Sequence, residues 1–552
     1  MIDKEYQEFL LNDEMVKVQL NIKQNKFISD VDRDQWIDAL FSKDERDLPV
    51  RFECSFDHID DSLIDPIRIM LRFARVLMLQ SKMPVYEDIS VISISNSLDL
   101  GNSIELSLNV QKIANLPLQI YKKVFFLTAN VTDWITNNKP TRSNRDQIYK
   151  IIEKDGLIKF KTMVPGGKST VPTLSVANKL GIPIYHLGSG VYQLGWGSKL
   201  VRFDRSSSEF DSAIGAKLSQ NKYITTNILR ESGFPSATHR LATSEEEALE
   251  SAKFLGYPLV VKPLDGDRGE GVTVDVFSEE LVRQGFHYAI KFTKRKIALI
   301  EKQVDGVCHR IFIANGKLLY AVKRLPMSVY ADGIRSVQQM VTDQFELQQS
   351  KPPWNRSEIK KLDNEAHKEL HRQGLHDYSI PPKGTLVTLR RIESTAEGGI
   401  DEDVTSIIHS ENVNLAQDAT KLFGLNVCGV DIITNDISKP WHSNGAIINE
   451  VNYSPLLGGA DISRSYIATY LARFIDGNGK IPINIFTSGE KAENYFNEKL
   501  NEGLRYYFIT DGLVLNHDRN VIRMNFKDIK SELRALLRRL DVDGVVILYI
   551  KC

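Results

Sequence analysis

Apolar and polar positions alternate along this chain with two different periods, and the changes of period mark its elements. KYITTNILRESG spaces its apolar residues at helical intervals, which predicts an amphipathic helix ending at Gly233 with Pro235 as a stop. YPLVVKP is an apolar run of strand length; a glycine-rich loop, DGDRGEGV, and a further strand, TVDV, follow it. IALIEKQV predicts another strand, and HRIFIANGKLLYAVKR a hairpin turning at Asn315 and Gly316. Farther on, LVTLRR, VCGVDIIT and AIINEVN read as strands and 411–424 as a helix, while 326–385 is polar, helical and irregular. Strands and helices alternate without internal repeats, so the expected class is α/β (or α+β) with several sheets.

At 552 residues the chain exceeds what one core can organise. The first 160 residues mix both patterns and hold no dense cluster of catalytic residue types. A linking segment, 161–215, contains a loop rich in Pro, Gly, Ser and Thr at 164–172, and 484–552 gives a weak βαβ pattern. Hydrophobic residues at 42% and charged residues at 26% make an ordinary globular balance, and a net charge of -1 supplies no field toward nucleic acid or an anionic membrane. Four cysteines lie scattered without metal-binding spacing and read as free thiols in a reducing compartment. The stretch Ile67 to Leu79 carries Arg68, Arg72 and Arg75 along one stripe, which predicts a core helix with a solvated face rather than a membrane span. The N-terminus, MIDKEYQEFL, does not resemble a signal peptide, so a soluble cytoplasmic protein is expected.

Candidate chemistry concentrates in the second half. Glu450 and Asn452 lie two apart in IINEVN and so share a strand face, and Asp431 sits in a second apolar strand. Two carboxylates and an amide oxygen are hard ligands suited to Mg²⁺. Read in isolation they are edge-strand polar residues, but their neighbours change the balance. Lys262 ends the strand LVVKP, and the loop from Asp265 to Gly271 follows, with Gly266, Arg268 and Gly269 inside it. Its GxxGxG order lies between two strands, whereas a dinucleotide fingerprint opens a helix. It therefore reads as a flap whose backbone N–H groups reach triphosphate oxygens, with a plain turn as the bland alternative. Gly166 to Thr170 mimics a phosphate loop but has Thr162 where that motif needs glycine. Pro172 follows too soon for a helix, so this too reads as a loop. Cations recur at strand positions: Arg310, Lys323, Arg324, Arg390 and Arg391. Opposite a metal site they could hold a transferring phosphate and stabilise an oxyanion; otherwise they are solvated faces.

These residues bring a family into view. From about Ser169 to Ile483 the chain resembles the ATP-grasp half of cyanophycin synthetases, within the wider ATP-grasp ligases. The resemblance runs through VYQLGWGSKLVRF, GYPLVVKPLDGDRGEGV, EKQVDG, ADGIRS, KKLDNEA, QGLHDYSIPPKG, VCGVDIITNDIS and INEVN. It implies an ATP-grasp domain over 216–483, with an insertion at about 326–385. It implies Lys222 and Lys262 on the ATP phosphates, the 265–271 loop over them, and Glu301 at the adenine hinge. It implies one or two Mg²⁺ ions on Asp431, Glu450 and Asn452, and Arg310 on the acyl phosphate or tetrahedral intermediate. Arg390 and Lys323 join Arg310 as expected catalytic cations. The implied reaction joins a carboxylate and an amine, on an amino acid or short peptide, releasing ADP and phosphate. Homo-oligomers are common in such enzymes, and neither nucleic acid nor membrane is an expected partner.

The departures sit at substrate positions. Cys308 stands where the family has an acidic residue, Leu325 replaces a glutamate, and Ala396-Glu397-Gly398-Gly399 replaces Ser-Thr-Gly-Gly. The segment 484–552 looks like the opening of the family's Mur-ligase-like half, with a loop at 487–491 that keeps a lysine but lacks the phosphate-binding order. It is expected to be a truncated remnant with a structural role. The competing expectation is a nucleotide-binding regulatory or scaffold protein whose ligase activity has decayed.

Overall fold

The computed structural model describes residues 15–54, 59–96, 103–113, 116–163, 167–265, 270–356, 359, 361–391, 393, 398–510, 513–524 and 528–549. Strands and helices of both periods combine in several separate sheets, as the mixed patterning requires. The chain divides into two compact units: Ser206–Leu456 with Ala460–Tyr466, and the remainder, built from both ends of the chain. Among the described residues no helix is long and apolar enough to cross a membrane.

The unit built from both ends holds three sheet regions. β1 (Met15–Lys23), β2 (Val50–Phe52), β3 (Ile89–Asn96) and β4 (Ser103–Gln111) pair in the order β1-β4-β3-β2. The helix Asp61–Gln80 buries Ile67, Met70, Leu71, Phe73, Ala74 and Leu77. Its arginine stripe is not wholly solvated, contrary to expectation. Arg75 is buried because Asp88 and the Pro49 carbonyl accept its Nη1, while Arg68 lies over the Phe52 ring. β5 (Ile184–Gly188), β6 (Val191–Leu194) and β7 (Val201–Asp204) form an antiparallel meander. Of the loop expected at 164–172, residues 164–166 lie outside the described residues and 167–169 form a turn. A helix, Thr170–Lys179, then begins with Pro172 inside its first turn, contrary to the expectation that Pro172 comes too soon for one. A first-turn residue needs no intrahelical N–H donor, so proline is tolerated there.

The last sheet of this unit comprises β20 (Ile483–Phe486), β21 (Tyr506–Thr510), β22 (Leu513–Leu515), β23 (Val521–Ile522) and β24 (Gly544–Leu548). β24 runs parallel between β20 and β21. Its core reaches far back along the chain. Trp196 packs with Ile481, Leu536, Leu537, Val542 and Val545, and Gln193 Nε2 donates to the Leu537 carbonyl at 3.0 Å, 344 positions away. The Gly197 and Ser198 N–H groups donate to Leu537 and Val542 carbonyls at 3.0 and 2.7 Å.

The other unit begins with the short strand β8 (Ser207–Ser208) and holds two larger sheets. β9 (His239–Ala242), β10 (Leu259–Pro263), β11 (Thr273–Val276) and β12 (Ala298–Lys302) pair antiparallel in the order β11-β10-β12-β9. One face of this sheet, through Leu259, Val261, Ala298 and Ile300, packs on the helices Glu245–Leu255 and Glu279–Ala289. β13 (Val307–Ala314), β14 (Lys317–Leu325), β17 (Ile400–Asp403), β18 (Val427–Thr434) and β19 (Ile447–Tyr453) form an antiparallel sheet in the order β17-β14-β13-β18-β19. The hairpin between β13 and β14 turns as expected, with Asn315 and Gly316 at φ 47° and 69°, where a two-residue turn needs both positive. A ribbon of β15 (Ser328–Tyr330) and β16 (Leu386–Thr388) completes the unit.

The segment expected to be irregular at 326–385 has its own small core. Met327, Val329, Met340, Leu370, Val387 and Leu389 bury one another between that ribbon and the helices Val337–Gln349 and Asn364–Arg372. Ser336 and Gln339 make a reciprocal capping box at the first helix, and the Asp363 side chain caps the second.

Candidate functional site

Pleat alternation divides the five-stranded sheet into two unlike faces. Ile311, Ala321, Cys428, Val430, Ile432, Ile448 and Val451 bury against Leu415, Ala416 and Ala419 of the helix Ser410–Leu422. The residues between them point the other way. There, Arg310 on β13, Asp431 on β18 and Glu450 on β19 stand directly opposite one another, one row across three strands. A bulge makes the row. Asp431 pairs with Glu450 but Ile432 pairs with Ile448, so Asn449 is the extra residue. Without it Ile448 and Glu450 would share a face; with it Ile448 enters the core and Glu450 joins the charged side.

Asp431, 2% exposed, is the hub of that face. Arg310 donates to it through Nε and, at 2.8 Å, through Nη2. Arg324 Nη1 lies 3.8 Å from its Oδ2, and Asn452 Nδ2 donates to Oδ2 at 3.4 Å. Burial works against the Arg310 charge, but Asp431 outweighs it and holds the guanidinium protonated. Arg310 reaches its partner through space left by a missing side chain: a Cβ on Gly429, two residues before Asp431, would lie 2.8 Å from Arg310 Cδ.

Glu450 meets the lysine that begins the helix Lys222–Glu231, its Oε1 3.4 Å from Lys222 Nζ. Burial pushes the Glu450 carboxyl up, but Lys222, Lys262 and Arg310 together hold it below its ordinary range. Lys262 and Glu301 sit on β10 and β12 of the four-stranded sheet as a buried pair at 2.8 Å. Two sheets of one unit thus present cations and hard oxygen ligands together: Lys262 and Glu301 from one, Arg310, Asp431, Glu450 and Asn452 from the other, with Lys222 beside Glu450.

The remaining expected residues divide. Asp265 is exposed just beyond β10, and Gly271 carries φ 73° against the Phe292 ring; Gly266, Arg268 and Gly269 lie outside the described residues. Lys323 alternates with Arg324 and therefore occupies the opposite sheet face from Arg310, where Glu402 lies 3.7 Å away. Arg390, 3% exposed, is anchored in the small lobe, donating to Asp363 at 2.8 Å and to the Leu389 carbonyl at 2.7 Å. Arg391 pairs with Asp275 at 2.5 Å.

Two residues carried no sequence signal. Asp401 on β17 is opposite Arg324 in the β14 ladder, and burial raises its carboxyl while Arg324 and Arg310 oppose that rise. His239 on β9 is opposite Glu301, 5% exposed, its ring 5.0 Å from that of Tyr223. Burial pushes the His239 imidazole down to about 4, against the pull of Glu301 and with the help of Lys262. The unfolded chain binds a proton near the ordinary value of 6.5 that native His239 refuses, so stability falls as pH drops from 6.5 toward 4. The expected loss is about 3 kcal/mol. Urea unfolding at pH 7 and pH 4.5 checks this, and His239→Leu should shrink the difference between the two midpoints.

The donor set fits a magnesium ion held together with phosphate. Asp431 and Glu450 are adjacent across two strands, and Mg²⁺ takes one or two carboxylates and completes its shell with phosphate and water. Among the described residues no group of three or more His, Cys, Asp or Glu forms a cage that could hold a metal by itself.

No protein-family model matches the chain. It is 32% identical over 293 residues to a cyanophycin synthetase of Nostoc sp., which covers 52% of this chain and 32% of the synthetase. It is 30% identical over 262 residues to a bifunctional glutathione biosynthesis protein of Mannheimia succiniciproducens, covering 45% of this chain and 33% of that protein. The chain thus spans about a third of the length of these curated relatives. Among solved structures, a bifunctional glutathione synthetase from Pasteurella multocida aligns over 64% of this chain and 52% of its own, at 22% identity and a TM-score of 0.43.

Proposed function

We propose that this chain is an ATP-grasp ligase that joins a carboxylate to an amine through an acyl phosphate, acting on an amino acid or short peptide and releasing ADP and phosphate. The observation that carries this reading is the row Arg310–Asp431–Glu450 with Lys222 at its end and the Lys262–Glu301 pair on the neighbouring sheet. Its residue types match the task. Charged phosphates approach a carboxylate only where metal and fixed cations offset the repulsion. The similarity to cyanophycin synthetase and to a glutathione biosynthesis protein supports an amide-forming ligase.

Bound Mg·ATP would supply the phosphoryl group that activates the carboxylate. Lys222 and Lys262 would bind phosphate oxygens, exchanging the carboxylates they now hold for stronger anions. Glu301, released from Lys262, would be free to accept from the base. Asp431, Glu450 and the Asn452 amide oxygen would hold the magnesium. Arg310, fixed between β18 and the space beside Gly429, would face the oxyanion that develops as the amine attacks.

The test is phosphate release from Mg·ATP against a panel of amino acids and short acidic peptides, with products followed by mass spectrometry. Release is expected to depend on one acid–amine pair and to yield a product equal to their sum minus water. Saturable ATP binding with silence across the panel would favour a regulatory nucleotide-binding protein instead.

A further inference from the structure

Among the described residues, one carboxylate on the charged face makes no close ion pair, although Arg324 and Arg310 both act on it through their charge. Asp401 stands directly opposite Arg324 in the β14–β17 ladder, and its buried Oδ1 has no hydrogen-bond donor among the described residues. Arg324 also reaches across the sheet, placing Nη1 3.8 Å from Asp431 Oδ2. Asp431 is thereby surrounded: Arg310 donates twice, Asn452 donates at 3.4 Å, and Arg324 adds a second positive charge. A carboxylate so occupied keeps one acceptor site, on Oδ1, and the two guanidinium groups beside it repel a divalent cation. Drawing off one of the two cations favours the ion, and Arg324, which makes no hydrogen bond to Asp431, is the one more easily moved. A buried acceptor without a donor is costly to maintain, and here it lies one strand from a guanidinium that is held only loosely.

We propose that Asp401 is a positioning residue that receives Arg324 when Asp431 turns to its metal. The inference rests on the reading of Asp431, Glu450 and Asn452 as the magnesium site. In the metal-free state Arg324 helps neutralise Asp431; in the loaded state Asp401 draws it off along the β14–β17 pair. The register makes the transfer a change of side-chain torsions with no movement of backbone. Glu393 is the other acid near Arg324, but its carboxylate already accepts the Cys308 backbone N–H and it lies outside the ladder.

The test is calorimetric titration of ADP into the full-length chain with and without Mg²⁺, which reads binding without turnover. In the native sequence Mg²⁺ should tighten ADP binding. In Asp401→Asn, metal-free ADP affinity should stay the same while the tightening by Mg²⁺ shrinks about tenfold, the loss typical of removing an outer partner of a metal ligand. Asp401→Glu should restore part of it. Thermal unfolding of the metal-free protein supplies a second readout. Asp401→Asn removes an unpaired buried charge, so its midpoint should hold or rise, whereas a residue with only a structural role would lower it. Undiminished tightening in Asp401→Asn, or a lowered midpoint, overturns the proposal; so does a loss seen in Glu393→Gln instead. If the native protein binds ADP but Mg²⁺ changes nothing, the metal site itself is misassigned, a failure distinct from that of Asp401.

Discussion

Glu450→Gln is expected to cut ligase turnover by at least about a hundredfold, the scale on which removing one fixed charge from a transition-state site acts. The substitution keeps the size and shape of the side chain, so β19 and its bulge should be preserved. What it removes is the negative charge that lies opposite Asp431 and meets Lys222. An amide oxygen carries no charge to set against the ion's, so with Asn452 already neutral the site would keep only one carboxylate, and Lys222 would lose its anion. Stability should barely move. The pair is a quarter to a third exposed, with side chains at 26% and 29%, and such pairs contribute only about 0–1 kcal/mol. Unchanged unfolding with lost phosphate release would place the effect in the chemistry, and full activity would remove Glu450 from the site.

Arg310→Ala should act on the fold itself. The Asp431 side chain is 3% exposed, and without Arg310 its partners among the described residues are Arg324 at 3.8 Å and the Asn452 amide. Breaking a buried pair by removing one partner typically costs about 3–5 kcal/mol, because the charge left behind has neither water nor counter-ion. Arg324 offers partial compensation, so the lower end, about 3 kcal/mol, is expected. Adding Asp431→Asn to Arg310→Ala should recover part of the loss, since the stranded charge is then gone. Urea unfolding of the two single variants and the double variant measures this. Additive losses would show that the two side chains do not depend on one another.

The contrast between these substitutions reflects what could be read in advance. VCGVDIIT and IINEVN expose their chemistry to sequence reading because alternation in a half-buried strand puts every second residue on one face. An acid amid such a run therefore advertises itself. The same logic places Lys262 at the end of a buried strand, and Asn315 with Gly316 at a turn. Register across strands is not written so locally. Which residues meet Arg310 depends on strands more than a hundred positions apart, and the bulge at Asn449 follows only from the need to bury both Ile448 and Val451. Lys323 and Arg324 look equivalent as paired cations until the pleat separates them onto opposite faces. His239 and Asp401 have no local pattern at all; burial and cross-strand neighbours give them their character. Arg75 went inward because Asp88, outside its helix, was there to receive it.

The pairing of Gln193 and Trp196 with Gly479, Leu537 and Val542 has a consequence for how this protein is made. A ribosome delivers Gln193 and then must add 344 residues before its partner Leu537 is made. At roughly 5–20 residues per second that interval lasts tens of seconds. The inserted unit, Ser206–Leu456, leaves the exit tunnel almost whole during the wait and can fold around its own sheets. The earlier-made Trp196 edge cannot; it stays open until the polypeptide is nearly finished. A nascent chain halted near residue 520, with Leu537 and Val542 still unmade, should therefore carry a protease-resistant middle beside a labile edge at Trp196.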